Sequence, residues 1–96
     1  MIYLVDMLRQ SGWLQKVTTA VPEVEYWVSL IDWKNVSYQQ ILELKAQVRL
    51  MPDKLSVTEI RKRLGSSHSY SEKELESIRD GAYVFRELYK LRGRTK

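Results

Sequence analysis

The sequence predicts an all-α fold, a small single-domain bundle of four to six helices built around a long C-terminal helix. Three times a serine is followed three positions later by Gln or Glu, the spacing of a helix capping box. Between these motifs apolar residues recur every three or four positions, as on one face of a helix. The chain of 96 residues, 44% of them hydrophobic, is long enough to bury a modest core without disulfides. We assign residues 1–92 to one helical domain and residues 93–96 to a basic tail.

The first twenty residues show helical periodicity without deciding between one helix and two. Ser11-Gly12 offers a helix end, because glycine tolerates the left-handed backbone that often closes a helix. The same spacing nevertheless continues through Leu14 and Val17. The spacing is compatible with one long helix and with two shorter ones.

A further helix is predicted from about Pro22 to Asp32. Proline suits the first turn of a helix, and the carboxylates of Glu23 and Glu25 complement its positive end. A strand is the alternative, since apolar residues also alternate with others from Val24 to Leu30. We favour the helix because no partner strand is evident in the neighbouring sequence.

Three capping boxes mark the remaining helices: Ser37 with Gln40, Ser56 with Glu59, and Ser71 with Glu74. In each box the serine hydroxyl is expected to accept from the third helical N–H, while the Gln or Glu side chain accepts from the serine's own N–H. These helices are expected to stop at Pro52, Gly65 and about Leu91.

The last helix is predicted to be the centre of the fold. Its apolar positions cover an arc wider than that of a helix buried on one side, so several neighbours must cover it. They are Leu75, Ile78, Ala82, Val84, Phe85, Leu88, Tyr89 and Leu91. Gly81 lies within this arc, where a missing side chain lets another helix approach closely.

The net charge of +4 is unevenly distributed along the chain. Residues 1–54 hold six basic and six acidic side chains, whereas residues 55–96 hold ten basic and six acidic ones. The excess in the C-terminal part can attract an anionic partner, although net charge chiefly governs solubility.

The leading hypothesis is a non-enzymatic protein-binding or regulatory module, of adaptor or inhibitor type, that binds another protein or a second copy of itself. Trp33 lies in a connection beside charged residues, where a large ring is difficult to bury. Exposed aromatic side chains often anchor a partner. The predicted partner-binding residues are Trp33, Tyr26 and Trp13.

The alternative is a nucleic-acid-associated protein that contacts phosphates through a basic C-terminal helix and tail. Cations interleaved with an aromatic ring suit phosphate contact combined with stacking. The residues are Arg79, Tyr83, Arg86, Lys90, Arg92, Arg94 and Lys96. A helix-turn-helix is disfavoured, because Glu72, Glu74 and Glu76 at the start of the last helix would be repelled by phosphates. Any anion contact is thereby expected near the C-terminal end of that helix.

No catalytic, cofactor or metal site is predicted. The chain has one histidine, His68, and no cysteine, which excludes disulfides and thiolate metal sites. Glu76 and Asp80 lie four positions apart on one helical face, a spacing more typical of surface residues that keep a helix soluble. Apolar runs are too short for a membrane span, and Met1–Leu8 lacks the basic start of a secretory signal. We expect a cytoplasmic protein with no membrane association and no small-molecule substrate.

Overall fold

Within the part of the chain that the structure describes, six α-helices and one short 3-10 helix make up the fold, which confirms the all-α prediction. The computed structural model describes residues 4–65 and 69–91, and these residues contain no strand. The helices are α1 (Leu4–Gln10), α2 (Trp13–Ala20), α3 (Glu23–Leu30), α4 (Tyr38–Arg49), α5 (Val57–Leu64) and α6 (Glu72–Leu91). The 3-10 helix, Trp33–Asn35, lies between α3 and α4.

The first twenty residues form two helices, α1 and α2, separated at Ser11-Gly12. Gly12 adopts a φ of 80°, a left-handed conformation that glycine accepts without strain. The Ser11 hydroxyl donates to the Leu8 carbonyl at 2.8 Å and so satisfies an acceptor at the end of α1. The chain turns here and α2 packs against α1.

The segment after Pro22 is the helix that the sequence favours, and Pro22 directly precedes its first residue. Val24 and Val28, one turn apart, are both buried, whereas Tyr26 between them is exposed. A strand would place all three side chains on the same face. The burial pattern therefore follows the helical period.

All three predicted serines cap their helices. Ser37 forms the full box: its hydroxyl accepts from the Gln40 N–H at 3.1 Å, and the Gln40 side chain accepts from the Ser37 N–H at 3.4 Å. Ser56 accepts from the Glu59 N–H at 3.1 Å, while the Glu59 carboxylate accepts from Arg63 Nε at 3.4 Å. Ser71 accepts from the Glu74 N–H at 3.2 Å. The serine hydroxyl thus caps the helix at all three sites. At Ser37 the hydrogen bond from the serine N–H to the Gln40 side chain is also present.

Helix α6 is the central element, because α2, α3, α4 and α5 all pack against it. Its buried side chains run from Leu75 to Leu88. Phe85 is fully buried, with the ring of Trp13 at 5.3 Å and that of Trp33 at 6.2 Å between centroids. The wide apolar arc is covered on several sides, as its width predicts.

Gly81 is the point of closest approach between α2 and α6, which confirms the predicted use of this glycine. A Cβ atom at position 81 would lie 2.7 Å from Trp13 Cζ2 and 2.8 Å from Val17 Cγ2. Both distances are well below ordinary van der Waals contact, which begins at about 3.5 Å between carbon atoms. A side chain here would force α2 away from α6.

We expect Gly81→Ala to destabilise the protein even though alanine is the better helix former. The gain in helix propensity is about 1 kcal/mol, whereas overpacking a core costs about 1–3 kcal/mol. Urea unfolding of Gly81→Ala, Trp13→Leu and the double variant measures the interaction free energy between positions 81 and 13. If the clash is with Trp13, the alanine costs less in the Trp13→Leu background. A Gly81→Ala protein that is more stable than the parent would contradict the close approach.

Candidate binding surfaces

Trp13 and Trp33, two of the three predicted partner-binding residues, are half-buried and contact the core. The Trp13 indole donates from Nε1 to the Ser77 carbonyl at 3.2 Å. The Trp33 indole donates from Nε1 to the Val28 carbonyl at 3.1 Å. Both polar indole atoms are therefore satisfied within the protein, and both rings lie against Phe85.

The position of the Trp33 ring follows from the local backbone conformation, which the charged residues beside it in the sequence do not indicate. Residues Trp33–Asn35 form a 3-10 helix, and the Asn35 N–H donates to the Asp32 carbonyl at 3.0 Å. This tight turn directs the Trp33 ring toward the core while Asp32 and Lys34 stay exposed. Neighbouring charges therefore did not indicate where this ring would lie.

Tyr26, the third predicted residue, is 60% exposed and belongs to an aromatic cluster. Its ring centroid lies 6.0 Å from that of Tyr89, which in turn lies 6.5 Å from Trp27. Leu30, one turn after Tyr26 on α3, is 39% exposed. We call Tyr26, Trp27, Leu30 and Tyr89 the aromatic face.

An apolar cleft of about 240 Å³ lies at the same end of α6 as the aromatic face. Its apolar lining comes from Ile31, Val36, Leu88 and Leu91. Leu88 and Leu91 of the cleft flank Tyr89 on α6, and Ile31 directly follows Leu30. The cleft and the aromatic face therefore share two segments, the end of α6 and the end of α3. Polar side chains also line it: Asp32, Asn35 and Gln40.

The apolar cleft is small and has a defined rim. Ligand pockets generally measure about 300–1,000 Å³, so the apolar cleft has room for a side chain of a partner and not for a large cofactor. Asp32 and Asn35 are hydrogen-bonded to each other at 2.6 Å, which fixes one side of its rim.

The predicted basic stripe on α6 makes at least one contact within the protein at each of its four described positions. Arg79, Tyr83 and Arg86 are half-buried, and Lys90 is the exposed member among the described residues. Lys90 Nζ lies 3.9 Å from the Glu87 carboxylate. The other predicted cations, Arg92, Arg94 and Lys96, lie outside the described residues.

Tyr83, the aromatic residue of the stripe, contacts other parts of the protein through its hydroxyl and its ring. Its hydroxyl accepts from the Leu55 N–H at 3.0 Å and so fixes the connection before α5. The Arg86 guanidinium lies over the ring, 4.9 Å from its centroid. Arg86 Nε is buried and has no hydrogen-bond partner among the described residues. The Tyr83 hydroxyl and one face of its ring thus have partners within the protein.

Asp80 is buried, with 7% of its surface exposed, whereas the sequence suggested a surface residue. Its Oδ1 lies 3.1 Å from Arg79 Nε and 3.6 Å from Lys54 Nζ. The side chains of both cations are also mostly buried, at 15% and 13% exposure. A signal for this burial was present, because Asp80 lies one turn before Val84 on the wide apolar arc of α6.

Within residues 4–65 and 69–91, no helix combines the length and hydrophobicity that crossing a bilayer requires. No group of three or more metal-binding side chains occurs there either.

Comparisons with protein-family models, with curated proteins and with solved structures found no match to this chain.

We expect Asp80→Asn to destabilise the fold by about 3 kcal/mol, the lower end of the range for losing one partner of a buried ion pair. The substitution leaves Lys54 and Arg79 with one fewer counter-charge while they stay mostly buried. Urea unfolding at neutral pH measures the change. Glu76→Gln is the matched control, since Glu76 is exposed and has no ion pair within the described residues. Equal effects of the two substitutions would refute the structural role of Asp80.

Proposed function

We propose that the protein is a non-enzymatic protein-binding module whose partner docks on the aromatic face and the apolar cleft. One observation carries the proposal. Tyr26 is 60% exposed although its ring belongs to an aromatic cluster, and an apolar cleft of about 240 Å³ lies at the same end of α6. Tyrosine and tryptophan dominate the binding energy of many interfaces when they pack into such a centre.

The aromatic face is well prepared for binding. Tyr26 is held against Tyr89, which itself lies against Trp27, so the ring has less freedom to lose when a partner covers it. Covering Tyr26 and Leu30 removes apolar surface from water, which favours association.

The cleft adds specificity to this contact. An apolar side chain of the partner fits between Ile31, Val36 and Leu88, where it displaces water from apolar walls. The amide of Gln40 and the carboxylate of Asp32 line the same cleft and supply polar groups at its rim. The partner is either another protein or a second copy of this chain, since a self-complementary patch of this kind also makes symmetric dimers.

The chain provides a matched pair of surfaces for testing the proposal. Tyr26 and Leu30 on α3 are 60% and 39% exposed, and Tyr38 and Leu42 on α4 are 60% and 40% exposed at the same spacing. We expect Tyr26→Ser/Leu30→Ser to weaken partner binding by at least about 30-fold, the effect of losing one strong interface residue. We expect Tyr38→Ser/Leu42→Ser to leave binding unchanged.

Two measurements separate the partners. Sedimentation over a range of protein concentrations detects self-association, and quantitative affinity capture from extract detects another protein. The supporting result is an association kept by the Tyr38/Leu42 variant and lost by the Tyr26/Leu30 variant, with circular dichroism unchanged in both. Equal loss in the two variants, or no association by either method, would argue against this surface.

A further inference from the structure

A second cleft, of about 600 Å³, lies beside the first half of α6, away from the aromatic face. Five cationic side chains line it: Lys45 and Arg49 from α4, Lys54 from the connection to α5, and Lys73 and Arg79 from α6. Glu76, Ser77 and Asp80 complete the lining. We call it the basic cleft. Its cations outnumber its carboxylates by five to two, so it has a positive potential.

We propose that the basic cleft binds a small phosphorylated molecule that also bears hydroxyl groups. Contacts within the protein hold two of these cations, Lys54 and Arg79, in fixed positions. Asp80 binds Arg79 through Nε and Lys54 through Nζ. Lys54 Nζ also donates to the Arg49 carbonyl at 3.3 Å. These contacts hold two cations in place without neutralising both.

Arg79 is the best-placed phosphate ligand. Its bond to Asp80 uses Nε, so the terminal guanidinium nitrogens have no hydrogen-bond partner among the described residues. Arg79 lines the cleft, and an arginine fork with free terminal N–H groups can bind two phosphate oxygens at once.

The outer cations remain available as well. Arg49 and Lys73 are exposed, and neither side chain forms an ion pair within the described residues. Lys45 Nζ lies over the Trp13 ring, 4.6 Å from its centroid, which positions the ammonium group while leaving its charge uncompensated. Cations gathered in this way repel one another until an anion binds between them.

The shape and the acidic residues of this region favour a small ligand over a nucleic-acid strand. A volume of about 600 Å³ lies within the usual range for small-molecule pockets. Exposed Glu72 and Glu74 on the first turn of α6 would repel a long polyanion that extended past the cleft. Glu76 and Ser77 in the lining can instead accept hydrogen bonds from hydroxyl or amino groups. A nucleotide and a sugar phosphate both carry this combination.

Isothermal titration calorimetry tests the proposal with five probes: ADP, ribose 5-phosphate, inorganic phosphate, adenosine and a single-stranded oligonucleotide of twenty bases. We expect ADP or ribose 5-phosphate to bind with a Kd below about 1 mM, more weakly as salt rises, and more tightly than inorganic phosphate. Adenosine, which lacks phosphate, should not bind. Comparison of ADP with ribose 5-phosphate identifies which source of phosphate fits.

Two double variants that have the same net charge as each other test the position of the site. Arg49→Gln/Lys73→Gln removes two exposed cations from the cleft, and Arg61→Gln/Lys62→Gln removes two exposed cations from α5, outside the cleft. We expect at least a tenfold loss of affinity in the first variant and no change in the second.

Three results would overturn the proposal. They are the absence of binding by either organic phosphate at millimolar concentration, an equal loss in the two variants, and tighter binding of the oligonucleotide that competes with ADP. The last result would assign the cleft to nucleic acid.

Discussion

The close approach of α2 to α6 at Gly81 determines how the core packs around Phe85. Because no side chain intervenes, the Trp13 ring reaches Phe85 and donates to the Ser77 carbonyl. The outer part of the same ring lies beneath the Lys45 ammonium, at the edge of the basic cleft. Next to Gly81, Asp80 is buried with Lys54 and Arg79. The absence of a side chain at position 81 thus leaves room for the Trp13 ring, which contacts Phe85 in the core and Lys45 of the basic cleft.

Helix α6 also separates two surfaces of different chemistry. Its first half supplies the basic cleft with residues between Lys73 and Asp80, and its last turns supply the apolar cleft with Leu88 and Leu91. A helix rises 1.5 Å per residue, so the centres of these segments lie about 20 Å apart. A bound anion at one end therefore need not block a protein at the other. This separation lets the two proposals be tested independently.

The sequence predicted those features that depend on one segment alone. Helix caps, the extent of α6 and the need for glycine at position 81 follow from local spacing and periodicity. The basic cleft was missed because it joins three segments, and Lys45, Arg49 and Lys54 come from the half of the chain whose net charge is zero. The predicted anion contact near the C-terminal end of α6 stays a prediction, since Arg92, Arg94 and Lys96 lie outside the described residues. Periodicity shows which face of a helix is buried, but not which neighbour covers it.

We infer that anion binding beside the first half of α6 is separate from the aromatic face at its other end. The most direct test is a two-dimensional ¹H–¹⁵N NMR titration of the protein with ADP. We expect shift changes in residues 45–54 and 73–80 and in Trp13, whose ring contacts Lys45, while the signals of Tyr26, Leu30 and Tyr89 stay unchanged. Shift changes centred on residues 86–91, or spread equally over both ends of α6, would contradict it.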